Sequence, residues 1–199
     1  MLLEKRWEEF LEWYRSERGA VRVVMSLLYD DALLARMRAV EALGRVGGML
    51  AQTDMESVRG IIRRLFWGMN DESGNLIRSA PEAIGEILFN TPVLITEYGR
   101  VLGSFCVEEP FERGTHLALA RLALLKPVFL NEMKETLCQS LDDEDAAIRG
   151  CAAYVLKSLN DGESVEKLRE MEMDGEEFDY YDFRTGEIRL ISVATMMGK

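Results

Sequence analysis

Four stretches of this chain repeat one placing of small and branched side chains, and a repeat of that kind restricts the fold more than any other feature. They are anchored at Arg36, Ile77, Thr115 and Arg149, at spacings of 41, 38 and 34 residues. Three, four, six, seven and ten residues after the anchor stand Ala39, Val40, Ala42, Leu43 and Val46 in the first stretch. The second has Ala80, Pro81, Ala83, Ile84 and Ile87, and the fourth Ala152, Ala153, Val155, Leu156 and Leu159. The third is looser, with Ala118, Leu119, Leu122 and Leu125. Those offsets share one face of a 3.6-residue helix. Small residues there let a neighbouring helix approach closely while Leu, Ile and Val fill the groove. No such helix covers its own apolar face alone, so the units must stack.

Start and stop signals predict two helices per unit. Thr53 to Glu56 reads as a capping box opening a helix over 54–68, whose stripe is Val58, Ile61, Ile62, Leu65 and Phe66. Thr91-Pro92 and Lys126-Pro127 permit further starts. Gly47-Gly48 and Asn160-Asp161-Gly162 read as stops. Trp7, Phe10, Leu11 and Tyr14 predict a capping helix over 3–16. Only 4 prolines interrupt the chain, and Leu, Ala, Glu, Arg and Met dominate, a mixture that favours helix.

The Arg-x-x-Ala-x-x-Ala-Leu-Gly rhythm of 36–44 and the run from Asp143 to Ala153 resemble HEAT-like repeats of the type named after phycobilin lyases, over roughly residues 20–160. The run from Trp67 to Gly74, followed by 80–87, also resembles a block of small bacterial HEAT-repeat proteins. The resemblance implies an all-α fold: a short, armadillo-like α-solenoid (an α-α superhelix) of about four HEAT-like helix pairs. It makes bilin-lyase activity conceivable, although a repeat type confers no activity by itself.

The tail departs from the repeat. Phe178 to Phe183, a turn at 184–187, and Ile188 to Val193 predict a β-hairpin. An isolated hairpin is marginal in water, so it is expected to pack on the last helices or on another chain. The expected organisation is a repeat domain over 1–172, with an acidic linker and hairpin over 173–199.

Charge narrows the partners. The formal net charge is −11, with 13 basic and 15 acidic residues in 1–100 against 11 and 20 in 101–199. A duplex-binding protein needs a basic face, so nucleic acid is disfavoured and HEAT-like DNA glycosylases do not fit. A basic protein partner fits better. No apolar run reaches the ~20 residues that span a bilayer, and the acidic, amphipathic N-terminus is unlike a signal peptide. Cys106, Cys138 and Cys151 are odd in number and sit among apolar residues, which suits reduced thiols in a cytoplasmic protein. They and the lone His116 lack metal-site spacing, and no repeated His-Glu pairs recommend a HEAT-fold di-iron hydroxylase. No metal, cofactor or catalytic constellation is expected.

The segment 67–86 is the strongest candidate for partner binding. Its polar connection suggests Trp67, Asn70, Asp71, Glu72 and Ser73 as contacts, with Glu82 and Glu86 on the adjoining surface. The alternative is an elaborate turn in which Asp71 and Ser73 cap backbone groups, Gly74 takes a positive φ and Trp67 is core. Glu41, Arg45, Glu82, Glu86 and Lys157 are expected on an exposed concave face. Asp142 to Asp145 reads as a helix cap rather than a cation site. Arg59, Arg63 and Arg64 read as a solvated or paired patch. The expected function is a non-catalytic scaffold binding a protein on that concave face, as a monomer or a hairpin-mediated homodimer. The alternative is a lyase-like or accessory protein holding a small prosthetic group near Trp67.

Overall fold

A computed structural model describes residues 1–70, 76–160 and 164–198. The chain is mostly helical, with eleven α-helices among these residues and a two-stranded hairpin near the C-terminus. The helices are α1 (Trp7–Ser16), α2 (Ala20–Ser26), α3 (Leu33–Leu50), α4 (Met55–Met69), α5 (Ala80–Asn90) and α6 (Ile95–Gly103). They continue as α7 (Glu112–Ala123), α8 (Lys134–Gln139), α9 (Ala146–Ser158) and α10 (Val165–Met171). Strands β1 (Glu177–Asp182) and β2 (Glu187–Ser192) follow, then α11 (Val193–Met197).

The four repeated stretches lie on α3, α5, α7 and α9, which pack one on the next, with α11 closing the row against α9. The shared offsets supply the seam: Ala39, Ala42, Ala80, Ala83, Ala118, Ala152 and Ala153 are all buried. The row is tight at its glycines: at Gly85 a Cβ would come within 2.6 Å of the Ala118 Cβ. Helices α4, α6 and α8 lie beside this row and pack on its members. On α4, Val58, Ile61, Ile62, Leu65 and Met69 are buried, while Phe66 is half-buried and stacks on Tyr98 and Phe105. Helix α1 buries Phe10 and packs on α3.

Several local expectations are corrected. Gly47 and Gly48 do not stop α3, which runs to Leu50; they let it lie against Ile87 and Asn90 of α5. Helix α4 is capped by Asp54, whose side chain accepts from the Ser57 N–H, one residue later than the Thr53 box. At α5, Ser79 is the N-cap residue but makes no side-chain cap bond. Thr91, expected to open the next helix, turns its hydroxyl back to donate to the Ile87 carbonyl at 2.6 Å. The acidic run does cap α9: Asp145 accepts from the Ala147 N–H at 2.7 Å, and Asp143 accepts from the Asp145 N–H at 2.8 Å. Helix α9 ends at Ser158, with Asn160 at φ 53°; Asp161 and Gly162 of the expected stop lie outside the described residues.

The hairpin pairs antiparallel from Glu177↔Ser192 to Asp182↔Glu187. Gly186, at φ 76°, closes its loop by donating to the Asp182 carbonyl at 2.6 Å. Ser192 then caps α11 by accepting from Thr195 at 3.1 Å. The hairpin lies across the helix row. Phe178 is buried against Gly150 of α9, Phe183 meets Arg121 of α7, and the Tyr181 hydroxyl reaches Glu41 of α3.

Candidate functional site: a groove between the helix row and the hairpin

The hairpin is held by two buried polar clusters. Glu41 is 2% exposed and accepts a hydrogen bond from the Tyr181 hydroxyl at 2.5 Å. Arg38 donates to the same hydroxyl at 2.7 Å, and Arg45 binds the second Glu41 oxygen at 2.9 Å. Burial, then the bond to Glu41, pushes the Tyr181 phenol above its usual range, so its proton stays on the tyrosine.

The second cluster is Glu86, clasped by Arg121 at 2.7 and 3.2 Å and by Asn90 at 3.0 Å. The Arg121 guanidinium lies between two rings, 3.5 Å from the Phe89 centroid and 4.5 Å from that of Phe183. Burial raises the Glu86 carboxyl and the bonds from Arg121 oppose it. Glu41 and Glu86 are therefore not exposed-face residues, contrary to the sequence expectation, because Tyr181 and Phe183 cover that side of α3, α5 and α7. Arg45 is half-buried under the Trp7 ring, and Lys157 is exposed, donating to the Met197 carbonyl at 3.2 Å.

Where the hairpin stands off the helices it leaves a groove of about 670 Å³. Its walls come from the first turns of α3 and α5, most of the length of α7, the residues preceding these three helices, and the hairpin. Arg36 is on α3, Glu82 on α5, Arg113 and Leu117 on α7, and Asp179, Tyr180 and Phe183 on the tail.

Glu82 is the unusual group. Its Oε2 is buried and has no hydrogen-bond partner. Gly114 makes room for it, since a Cβ there would come within 2.5 Å of that oxygen. Although the residue as a whole is only partly buried, desolvation of the carboxyl outweighs the bond from its own backbone N–H and the charges of Arg36 and Arg113, and raises its pKa to about 7. Tyr180 is likewise pushed up to about 12, mainly by burial.

The structure divides the residues expected to act together. Glu82 lines the groove, while Glu86 belongs to the buried clasp. Trp67 is 77% exposed and not core. It borders a second depression of about 720 Å³ with Arg22, Tyr29 and Arg64, and that depression also includes Asn70. The Asn70 side chain donates to the Phe66 carbonyl at 2.9 Å, finishing α4. Asp71, Glu72 and Ser73 lie outside the described residues, as does Gly74.

His116 is buried between the Glu112 carbonyl (2.7 Å) and the Ser140 hydroxyl (2.8 Å), and burial lowers its pKa. The three cysteines are free thiols, and burial raises Cys106 to about 12. Among the described residues no cluster of His, Cys, Asp or Glu is arranged to hold a metal. No helix among them is long and apolar enough to cross a membrane.

Sequence reasoning missed Tyr180, Asp179 and Arg113. The one available signal was the pair of adjacent tyrosines in an acidic tail, which marks contact more than a plain cap would.

No family model matches the chain, and no solved structure matches it. The chain is 30% identical over 169 residues to an uncharacterized protein of Archaeoglobus fulgidus, across 80% of this chain and 84% of the archaeal one. It belongs to the same family as that archaeal protein.

Proposed function

We propose that the chain is a HEAT-like α-solenoid working in the cytoplasm as a non-catalytic scaffold, which docks a partner protein in the groove between its helix row and its hairpin. The order α3, α5, α7, α9, α11 supports the solenoid reading, because each pairs mainly with the next member of the row. In this reading the row is the concave side, and the hairpin is an integral part of the binding surface. The three free thiols support a reducing compartment.

The observation that carries the proposal is the groove itself: rigid walls from three helices, an aromatic tail opposite, and carboxylates in the lining. The chain's net charge of −11 favours a basic partner through steering. The test is native mass spectrometry of the chain purified from its own host at low salt. A stoichiometric protein is expected to co-purify, to be lost on Leu117→Trp in the groove, and to persist on Val128→Ser on the outside. A bare chain, or capture indifferent to Leu117→Trp, overturns the proposal.

A second reading places a small prosthetic group in the depression beside Trp67, favoured by that indole's exposure between Arg22 and Arg64. It requires a retained mass or an absorbance band that Trp67→Ala abolishes.

A further inference from the structure

We propose that the groove takes an arginine side chain of a partner protein, with Glu82 as the anchoring carboxylate. This rests on the reading of the groove as a protein-docking site and names what is recognised there.

The first argument is the balance of acceptors and donors. Four arginines line the groove, but two are neutralised by acids from outside its lining: Arg113 by Asp145 at 2.8 Å and Arg121 by Glu86 at 2.7 Å. Arg36 is turned back onto the carbonyls of Asp30 and Asp31, at 2.7 and 3.0 Å. On the acidic side stand Asp30, Asp31, Glu82 and Asp179, so carboxylates outnumber the remaining cations, Arg36 and Arg78. Five buried side-chain atoms among the described residues lack a hydrogen-bond partner, and Glu82 Oε2 alone belongs to this lining. Glu82 Oε2 is closed off against Gly114, so a donor entering the groove would meet the carboxylate from its partly exposed side, and the surplus negative charge around it calls for a cationic N–H donor.

The second argument is shape and surface. Leu76, Leu117 and Ile188 offer apolar wall for an aliphatic stem, and Tyr29, Tyr180 and Phe183 offer ring faces. A planar guanidinium uses both, stacking on rings while its fork binds a carboxylate, whereas an ammonium is a compact, strongly hydrated charge. The molecule already contains that arrangement at the groove's edge: Arg121 is stacked on Phe183 and Phe89 and clasped by Glu86. The incoming arginine would repeat with Glu82 what Arg121 does with Glu86.

The test uses the whole chain and capped tripeptides, Gly-X-Gly, where X is arginine, citrulline or glutamate, followed by NMR shift titration. Citrulline keeps the shape of arginine without its charge. The arginine peptide is expected to shift resonances of the groove, and the citrulline and glutamate peptides to bind at least about tenfold more weakly, as a charge-assisted bond requires. Glu82→Gln should weaken the arginine peptide at least about tenfold, while Glu132→Gln, on the surface against Arg100, should leave it unchanged. Gly114→Ala, which moves the Glu82 carboxylate without altering charge, should weaken it as well, so the result does not rest on one variant.

Equal binding of citrulline, or an arginine affinity untouched by both groove variants, overturns the proposal. Agmatine, the free guanidinium on a four-carbon stem, separates the sources. Agmatine binding as tightly as the peptide would mean a free cation as ligand and would overturn the assignment to a protein side chain. Co-purification blocked by Leu117→Trp together with silent peptides would defeat this inference alone. Peptide binding alongside capture indifferent to Leu117→Trp would defeat the docking reading.

Discussion

Replacing Glu82 by glutamine should stabilise the protein at pH 8 and do little near pH 4. The Glu82 carboxyl has a pKa raised to about 7 in the folded chain, against 4.5 for the ordinary group. A carboxyl with a raised folded pKa holds its proton more tightly when folded. Below pH 4.5 both states are protonated and Glu82 costs nothing. Between 4.5 and 7 the unfolded chain gives up the proton while the folded one keeps it, so stability falls as pH rises. Above 7 both are ionised, and the full penalty is present and constant. A shift from 4.5 to about 7 corresponds to about 3 kcal/mol at 1.36 kcal/mol per unit. Partial accessibility of the residue makes this an upper bound. Glutamine keeps the shape and removes the titration. Other carboxylates titrate in both proteins, so the difference between the two isolates Glu82. The assay is urea denaturation by far-UV circular dichroism at pH 4.5, 6, 7 and 8. The variant's midpoint should be close to that of the wild type at 4.5 and above it at 8, with most of the gap opening between 5 and 7. A gap independent of pH would show that the carboxyl is solvated, and a destabilised variant at pH 8 would show that it is paired; either would remove the argument that its oxygen lacks a partner.

Three further outcomes follow from the packing. Tyr181→Phe removes the hydroxyl that serves both Glu41 and Arg38; it should cost about 1–3 kcal/mol and loosen amide-exchange protection in β1 and β2 first. Arg121→Ala leaves the Glu86 carboxylate buried and held only by Asn90, so a loss of about 3–5 kcal/mol is expected, partly recovered by adding Glu86→Gln. Gly85→Ala meets Ala118 at 2.6 Å and should destabilise by about 1–3 kcal/mol, whereas Gly60→Ala on α4 meets nothing within 4 Å and should stabilise by about 0.5–1 kcal/mol, both read from thermal or urea melts.

Much of the helical framework was legible because it is written in local periodicity. Ala39, Ala42, Ala83 and Ala152 recur at helical offsets, and any helix built from them must bury that stripe against another. The tail's aromatic and branched residues around Gly186 specified a hairpin for the same reason, since turn chemistry and strand propensity are local. Helix ends were less legible. Gly47 and Gly48 look like a stop in isolation, yet Ile87 and Asn90 of the next helix need their smallness, so packing overrode the local preference. For Trp67 the sequence left contact and core both open, and only packing places its ring on the exposed side of α4.

The candidate site lay beyond sequence reading for a different reason. Glu82 and Glu86 are one helical turn apart and chemically identical, and nothing local distinguishes them. Arg121, 35 residues after Glu86, neutralises one, while Gly114 shelters one oxygen of the other, which is left without a hydrogen-bond partner. Glu41 met Tyr181 across 140 residues, and that contact decided that the tail lies over the helix row. The sequence by itself therefore determined that the repeated segments are helices, that they must stack, and that the tail holds a hairpin, although Val193, expected in its second strand, instead opens α11. Tertiary structure alone decided which carboxylates are paired, which is buried without a partner, and where a groove remains, because those properties belong to groups far apart in the chain whose charges and volumes meet only after folding.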